Sequence, residues 1–422
     1  MTGSFGYPGY ARFWTADAVS TFGTYVTTVA LPTLAVVTLK ATDLQVGLLN
    51  GARWVPYLLF GLLAGVAADR YRRRPILVAT DLIRGGLLAL IAGLAAAHMM
   101  SIYGLMLFVA VFGALSLLYD AAHQSYLPRL VPPVSLMHAN ARLEQTTALA
   151  QTTGPFLGGA LVTAIGAPLS MIVDAVSYVA SGVLLASINR PEPEPQVQAR
   201  SVRTELREGL RYVYRHPILR SSAFSLHARF LCASIISTVF TLFVLRSPGL
   251  GASSPHAAFS LGLVLACGGL GAVIGNALSG VAGRWGAGRV IVGERLAEPV
   301  AWTLAAFAAT GIAGWVMVAA AQFFVWVALG MSGPHEMAYR QSVTPDRLQG
   351  RANATIRSLN WGMFTVGGPI GGLLATAVGF RSALWIAIGG MAVSAGVSAF
   401  SPLRTARVAT AANDAFPADS PA

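Results

Sequence analysis

The sequence is poor in charge and nearly devoid of lysine. Only 11% of its 422 residues are charged, and its mean hydropathy is +0.62, whereas about 25% of the residues in a soluble domain are usually charged. Lys40 is the single lysine among 29 basic residues, and it follows Val36-Val37-Thr38-Leu39. Because a nucleotide-binding P-loop needs a lysine inside a glycine-rich segment, we expect no bound nucleotide and no ATPase activity.

Cysteine and histidine are too few and too scattered to build a reactive centre. Cys232 and Cys267 both fall in apolar segments, which argues against a disulfide framework and a cysteine-based metal site. The seven histidines include no H-x-x-x-H pair. We therefore expect no metal and no cofactor, and an enzyme acting inside the membrane lacks the clustered groups it would need.

The sequence contains many long apolar segments, and these predict an all-α membrane protein. About 20 apolar residues cross the about 30 Å of hydrocarbon in a bilayer. The sequence predicts twelve transmembrane helices, at about residues 11–38, 44–68, 76–98, 101–120, 140–164, 168–188, 221–245, 256–282, 289–311, 313–333, 352–378 and 381–402.

The basic residues fall almost entirely on one side of these spans. With a cytoplasmic start, 21 lie inside, and Lys40, Arg246 and Arg381 lie outside. This asymmetry obeys the positive-inside rule, so we expect both termini in the cytoplasm. The net charge of +12 then faces anionic inner-leaflet lipid, and a nucleic acid partner is not expected.

A polar linker divides the chain into two sets of six spans. It predicts an N-terminal bundle at 1–190, a linker at 191–220, a C-terminal bundle at 221–403 and a disordered tail at 404–422. Within the linker, apolar residues at 206, 210, 213 and 214 have helical spacing. This spacing predicts an amphipathic helix at the inner membrane surface.

The two bundles are similar in sequence at an offset of 213 residues. Between 126 and 166, thirteen of 41 positions are identical to their partners. Among them are Tyr126/Tyr339, Pro132/Pro345, Asn140/Asn353 and Gly166/Gly379. Paired six-helix units are typical of transporters with a central site between parallel halves.

Two glycine-containing motifs stand out. Between spans 2 and 3, Gly65 is followed by Asp69, Arg70, Arg73 and Arg74. These arginines can bind carboxylates or helix C-terminal carbonyls in one conformation and release them in another; alternatively, they only fix topology.

Span 5 contains the second motif. Gly154 and Pro155 are followed by Gly158 and Gly159. Proline bends a helix and glycine allows close helix approach, so the motif predicts at least a kinked packing helix.

Both motifs resemble those of the major facilitator superfamily. Its loop signature is G-x-L-A-D-R-x-G-R-[RK]; Asp69, Arg70, Arg73 and Arg74 match, while Ala67 and Arg72 depart from it. The span-5 motif is similar to the antiporter motif of exporters. The segments 12–14, 31–32, 174–178 and 208–212 resemble the branch that contains siderophore exporters and macrolide-type efflux pumps. The resemblance implies a secondary transporter with no ATPase, powered by the proton gradient.

Charged residues inside the spans are costly and are therefore functional candidates. We expect Glu298, followed by Pro299, to carry the proton, with Asp174 as the second candidate. Arg53 and Arg229 are candidate counter-ions or ligands for an anionic substrate. For all four, a static buried pair is the alternative.

A second set of charges lies nearer the cytoplasmic ends of the spans. Asp81 and Glu294 correspond under the 213-residue offset, and each has an arginine close by in sequence. We expect gate salt bridges from Asp81, Arg84, Glu294 and Arg295.

These features together predict a proton-coupled antiporter in the bacterial inner membrane. We expect a monomer that exports amphiphilic small molecules, such as a drug, a siderophore or a secondary metabolite, by alternating access. The alternatives are a proton-coupled importer, a scaffold without flux and a membrane-embedded lipid-modifying enzyme.

Overall fold

A computed structural model of the chain describes residues 7–190, 192, 202–246 and 257–405, without the side chains of 8, 62, 65–69, 202–206, 217, 218, 346, 347, 350 and 351. Within these ranges the fold is helical, which confirms the all-α prediction. The helices are α1 (Pro8–Thr33, continued by a π-helical turn at Leu34–Thr38), α2 (Asp43–Ala52), α3 (Val55–Arg70), α4 (Arg73–Ala96), α5 (Ile102–Leu130), α6 (Pro133–Ala186), α7 (Val202–Arg215), α8 (Pro217–Arg246), α9 (Ala257–Ala282), α10 (Ala287–Ala306), α11 (Gly311–Val343), α12 (Asp346–Val378) and α13 (Phe380–Ala399).

Twelve segments of the described chain can cross a membrane, as predicted. Nine helical stretches are long and apolar enough by themselves. One of these, α6, reverses at Gly166 (φ 82°, ψ 161°) and so provides two crossings. Helices α2 and α3 together form the eleventh crossing, which is interrupted at Arg53 and Trp54. Helix α10 is the twelfth crossing, although it contains four charged residues.

The internal repeat of the sequence is also a repeat of backbone geometry. Helix α5 ends at Leu130 and α11 at Val343, and α6 and α12 begin at Pro133 and Asp346, each pair 213 residues apart. Gly379 has the same positive-φ conformation as Gly166, with φ 81° and ψ 164°.

Four helices extend further than their apolar spans. Helix α5 continues to Leu130 and α6 begins at Pro133, whereas the spans suggested 120 and 140; α11 and α12 are longer in the same way. Hydropathy marks only the part of a helix that lies in hydrocarbon, and these polar ends extend beyond it. Pro132 and Pro345 each precede the following helix, where proline favours an extended backbone and cannot continue a helix.

We call helices α1–α6 the first half of the protein and helices α8–α13 the second half. The linker helix α7 packs on the second half. Val213 is fully buried, and the hydroxyl of Tyr212 donates a hydrogen bond to the carbonyl oxygen of Val343 at 2.6 Å. The helix predicted for this segment is present, but Val213 faces protein where the sequence suggested lipid; its cluster contains Ala223, Leu226, Ala352 and Ile356. The first part of the linker, apart from residue 192, and the tail after 405 lie outside the described residues.

The two halves meet along two related helix pairs, α6 with α9 and α12 with α2. We call the side of α7 the linker side and the side of Gly166 and Gly379 the far side. A methyl group on Gly262 of α9 would collide with the carbonyl oxygen of Pro155, and one on Gly159 would lie 2.8 Å from the carbonyl oxygen of Ala258. These contacts require glycine, because any side chain would separate the helix backbones.

The glycines of the span-5 motif make these close contacts with neighbouring helices. Gly154 and Gly158 face Tyr25 and Val26 of α1 within the first half, whereas Gly159 faces α9 of the second half. Gly371 and Gly372 repeat the arrangement in α12, facing α8 and α2 respectively. Adjacent glycines thus join one helix to two neighbours at once, one in each half.

Proline in the same motif exposes a backbone acceptor to the opposite half. Pro155 has no N–H, so the carbonyl oxygen of Gln151 loses its usual partner four residues on. That oxygen lies against Gly269 of α9, where a methyl group would be 2.5 Å from it. The arrangement recurs in α12, at Pro369, Thr365 and Gly51.

Polar contacts also join the halves on the far side. Arg246, at the end of α8, forms an ion pair with Asp43 and donates a hydrogen bond to the carbonyl oxygen of Ala41. Deeper in the protein, the Asn50 amide donates to the Thr238 hydroxyl at 2.8 Å. The far side is therefore closed by glycine packing and by an ion pair.

Replacing Gly262 with alanine tests the close approach of α6 and α9. We expect Gly262→Ala to lower the thermal unfolding midpoint of the purified protein, since overpacking costs about 1–3 kcal/mol. Gly280→Ala in the same helix is the control, because a methyl group there meets nothing within 4 Å. Equal midpoints for the two variants would show that the close contact is not needed.

Removing Arg246 tests the ion pair that closes the far side. We expect Arg246→Ala to add a population with a longer distance between spin labels at Met99→Cys and Ile312→Cys, in a background without native cysteines. Both labelled residues are exposed, at 74% and 84%. Arg381→Ala is the control, since Arg381 donates to the Ala308 carbonyl oxygen at 2.5 Å within one half. Identical distance distributions in both variants would contradict this role.

Candidate functional site

A pair of adjoining cavities lies between the two halves. The first has a volume of about 390 Å³ and is lined mainly by α1 and α5. The second has a volume of about 560 Å³ and is lined mainly by α8, α10, α11 and α12. Arg357 and Trp361 of α12 line both. The second cavity continues to Arg340, within one turn of the linker-side end of α11, so the space leads from the protein centre towards the linker side.

An aromatic cluster lies where the cavities join. The rings of Trp54 and Trp361 stack across the two halves, with centroids 4.3 Å apart and planes inclined by 8°. Trp54 occupies the interruption between α2 and α3, two residues before Pro56, which lacks the N–H that a continuous helix would need. Phe364 and Phe230 pack around the stack, at 5.4 Å from Trp54 and 5.6 Å from Trp361 respectively.

Glu298 forms a bidentate ion pair with Arg229. The Nε and Nη2 atoms of Arg229 lie 2.5 and 3.1 Å from the two carboxylate oxygens. Both side chains are buried, with Glu298 2% exposed. Two parallel charged hydrogen bonds of this kind fix the geometry as well as the charge. The structure thus brings together two of the four predicted coupling residues.

Glu294 extends this pair into a network that borders the second cavity. It lies one turn before Glu298 on the same face of α10, 3.2 Å from Arg229 Nε and 3.5 Å from Arg295 Nε. Arg295 in turn lies 3.2 Å from Glu336 of α11. Each of these contacts is made within the second half, so this cluster does not itself join the halves.

Asp81 and Arg84 form the corresponding pair in the first half. They form an ion pair one turn apart on α4, and the Ser181 hydroxyl donates to the other Asp81 oxygen at 2.6 Å. The Arg84 guanidinium lies over the rings of Tyr119 and Tyr178, at 4.2 and 4.4 Å. The pair is therefore internal to the first half, and Arg84 reaches the wall of the first cavity.

Asp174 has different surroundings from Glu298. It is fully buried and accepts hydrogen bonds from the hydroxyls of Thr27 and Ser177, the latter at 3.1 Å. Among the described residues, no basic side chain lies within 4.0 Å of its carboxyl group. A space of about 30 Å³, room for one water, connects it with Thr24 and Arg53. Hydroxyls can both donate and accept, so they suit a carboxyl group in either protonation state.

Arg53 and Arg357 face the first cavity from opposite halves. Arg53 lies 5.4 Å from the ring of Trp54, and Arg357 precedes Trp361 by one helical turn. Within the part of the chain that the structure describes, neither has a carboxylate within 4.0 Å. The sequence predicted a role for Arg53 but not for Arg357 or Trp54. The four-residue spacing of Arg357 and Trp361, which places them on one helix face, could have indicated Arg357.

The loop motif between α3 and α4 forms hydrogen bonds with the end of α6 and with Glu192, which follows α6. The backbone N–H groups of Arg73 and Arg74 donate to the carboxylate of Glu192 at 2.7 and 2.8 Å. The Arg74 guanidinium donates to the carbonyl oxygens of Leu185 and Ala186 at the end of α6. Arginine contact with helix C-terminal carbonyls is thus observed. Arg70 is exposed, and the side chains of 65–69, which include Gly65 and Asp69, lie outside the description.

Comparison with known proteins identifies the family. The model of the transmembrane secretion effector family matches residues 4–421. The chain is 28% identical over 284 residues to the uncharacterized MFS-type transporter y4rN of Sinorhizobium fredii, which covers 67% of each chain. It is 29% identical over 217 residues to the multidrug efflux pump Tap of Mycolicibacterium fortuitum, 48% of this chain and 51% of Tap. The chain thus matches about half the length of Tap.

Solved structures share the fold. The nucleoside transporter NupG superposes with a TM-score of 0.73 at 12% identity, covering 93% of this chain and 98% of NupG. A bacterial homologue of the human lysosomal transporter Spinster superposes with a TM-score of 0.70 at 16% identity, covering 93% and 96%. The chain therefore belongs to the transmembrane secretion effector family of the major facilitator superfamily, and it is a multi-pass membrane transporter and not an enzyme.

Proposed function

We propose that the protein is a proton-coupled antiporter that exports amphiphilic small molecules across the bacterial inner membrane. It acts as a monomer in the bilayer with both termini in the cytoplasm, and it uses neither nucleotide nor a bound cofactor. The observation that carries the proposal is the buried Glu298–Arg229 pair beside a cavity between two pseudo-symmetric halves. The efflux activity of Tap, a relative over half of its length, supports the direction.

The contacts between the halves support alternating access. Glycine packing and the Arg246–Asp43 pair close the far side, and the cavity leads to the linker side. This is the conformation in which an exporter takes substrate from the cytoplasm. Rotation of the halves about the cavity then opens the far side and closes the linker side.

Glu298 has the contacts expected of a proton carrier. In this proposal, the bidentate pair of Glu298 with Arg229 belongs to the state of the transporter that has released its proton to the cytoplasm. When the far side opens, protonation of Glu298 removes its charge and weakens its attraction to Arg229. Pro299, next in sequence, leaves the carbonyl oxygen of Arg295 without its N–H donor, so α10 is least constrained beside this carboxyl group.

Replacing Glu298 with glutamine tests proton coupling. In proteoliposomes with an imposed pH gradient, we expect Glu298→Gln to abolish uphill transport of a panel containing ethidium, a cation, and carboxyfluorescein, an anion. Exchange of substrate across the bilayer without a gradient should persist, since exchange needs no net proton movement. Glu144→Gln, which removes an exposed carboxylate of α6, is the control. Uphill transport at the wild-type rate in Glu298→Gln would remove the carrier assignment.

Asp174 is tested in the same assay. We expect Asp174→Asn to reduce the number of protons moved per substrate, because asparagine keeps the hydrogen bonds to Thr27 and Ser177 but cannot take up a proton. Ser177→Ala removes one of these hydrogen bonds and leaves the carboxyl group in place. A structural role for Asp174 predicts instead an unchanged proton ratio in Asp174→Asn and lower thermal stability in both variants.

A further inference from the structure

Each acid that lines the cavity between the halves has a partner in the protein, whereas two of the lining arginines have no carboxylate in contact among the described residues. In the first cavity, Asp17 lies 3.0 Å from the imidazole Nε2 of His123. Asp120 accepts a hydrogen bond from the Tyr57 hydroxyl at 2.9 Å. Both carboxylates that line this cavity therefore already have protein partners.

The acids of the second cavity are also occupied. Glu294 lies within 3.5 Å of both Arg229 and Arg295, and Glu336 lies 3.2 Å from Arg295. Among the described lining residues, every carboxylate has a partner within the protein.

Arg53 and Arg357 are in the opposite situation. Each lines the first cavity without a carboxylate within 4.0 Å in the described chain, and Arg357 borders the second cavity too. An unpaired guanidinium within a membrane is costly, so these two groups would gain from an added anion. A guanidinium presents a planar fork of donors that fits a carboxylate or sulfonate in bidentate geometry.

Flat apolar surface lies directly beside both arginines. Arg53 adjoins Trp54 in sequence and lies 5.4 Å from its ring. Arg357 and Trp361 share one face of α12, and Trp54 and Trp361 are stacked on each other. Tryptophan faces accept flat apolar groups by stacking. Groups that can bind an anion and groups that can stack on an aromatic ring therefore lie side by side. Each half contributes one arginine and one tryptophan.

We infer that the exported molecules are amphiphilic organic anions with a flat, aromatic portion, and that Arg53 and Arg357 bind the anionic group while Trp54 and Trp361 contact the ring. This inference rests on the proposed function and names its substrate class. Because each half contributes one arginine and one tryptophan, a bound anion contacts both halves at once.

Binding of a matched set of probes tests this assignment. The probes are 2-naphthoate, an aromatic carboxylate, and 2-naphthamide, its neutral analogue, titrated calorimetrically into the full chain in lipid nanodiscs, with empty nanodiscs subtracted. We expect the wild type to bind naphthoate more tightly than naphthamide. Arg53→Gln and Arg357→Gln should each weaken naphthoate binding about tenfold, the usual effect of losing one charged hydrogen-bonding partner, and leave naphthamide binding unchanged.

Three further variants separate charge from packing. Arg53→Lys and Arg357→Lys keep the charge without the planar fork and should retain part of the affinity for naphthoate. Trp54→Leu should weaken both probes alike, since it removes ring contact and not charge. Arg211→Gln, on the exposed face of α7, is the control and should bind both probes as the wild type does.

The outcomes distinguish this inference from the proposed function. Equal affinity of the wild type for the two probes, or unchanged naphthoate binding in both glutamine variants, would overturn the anion assignment. Gradient-driven transport of ethidium but not of carboxyfluorescein would also overturn it and leave an exporter of cations. Failure to transport either dye uphill would instead count against the exporter itself.

Discussion

The close approach of helix backbones between the two halves is the constraint on which the rest of the structure depends. Gly159 against Gly262, and Gly372 against Gly47, bring α6 to α9 and α12 to α2 at van der Waals distance. Glycine contacts give little side-chain interlocking, so such surfaces can pack tightly and still slide or rotate. The carbonyl oxygen that Pro155 leaves without its helical partner lies in the same interface.

The positions of the buried charged residues are consistent with movement of the two halves as units. The close contacts between the halves are made largely by glycines against helix backbone, whereas the buried ion pairs Asp81–Arg84 and Arg229–Glu298 each lie within one half. A conformational change that moves the halves as units therefore leaves these pairs intact. Their protonation can then be set by exposure to one compartment or the other. Arg53 and Arg357, which have no carboxylate within 4.0 Å among the described residues, lie where the halves face each other.

Much of this could be predicted from the sequence, because a bilayer imposes strong rules. The helix count, the repeat and the position of Glu298 and Arg229 inside spans followed from hydropathy; their role in coupling stays a prediction. Partners distant in sequence could not be predicted. The pairing of Glu298 with Arg229 spans 69 residues, and the stacking of Trp54 on Trp361 depends on how the halves dock. Asp174 could be placed in a helix, but only the packing shows that no basic side chain of the described residues lies within 4.0 Å of its carboxyl group.

Paired distance measurements on both sides of the membrane test the central claim, that the halves rotate about the cavity. Spin labels at Met99→Cys and Ile312→Cys report on the far side, and labels at His138→Cys and Gln341→Cys report on the linker side, where both residues are exposed. On acidification and on addition of naphthoate, the account predicts a second population with a longer far-side distance and a shorter linker-side distance, in matching proportions. A change on one side alone, or lengthening on both sides, would contradict rotation of the two halves as units.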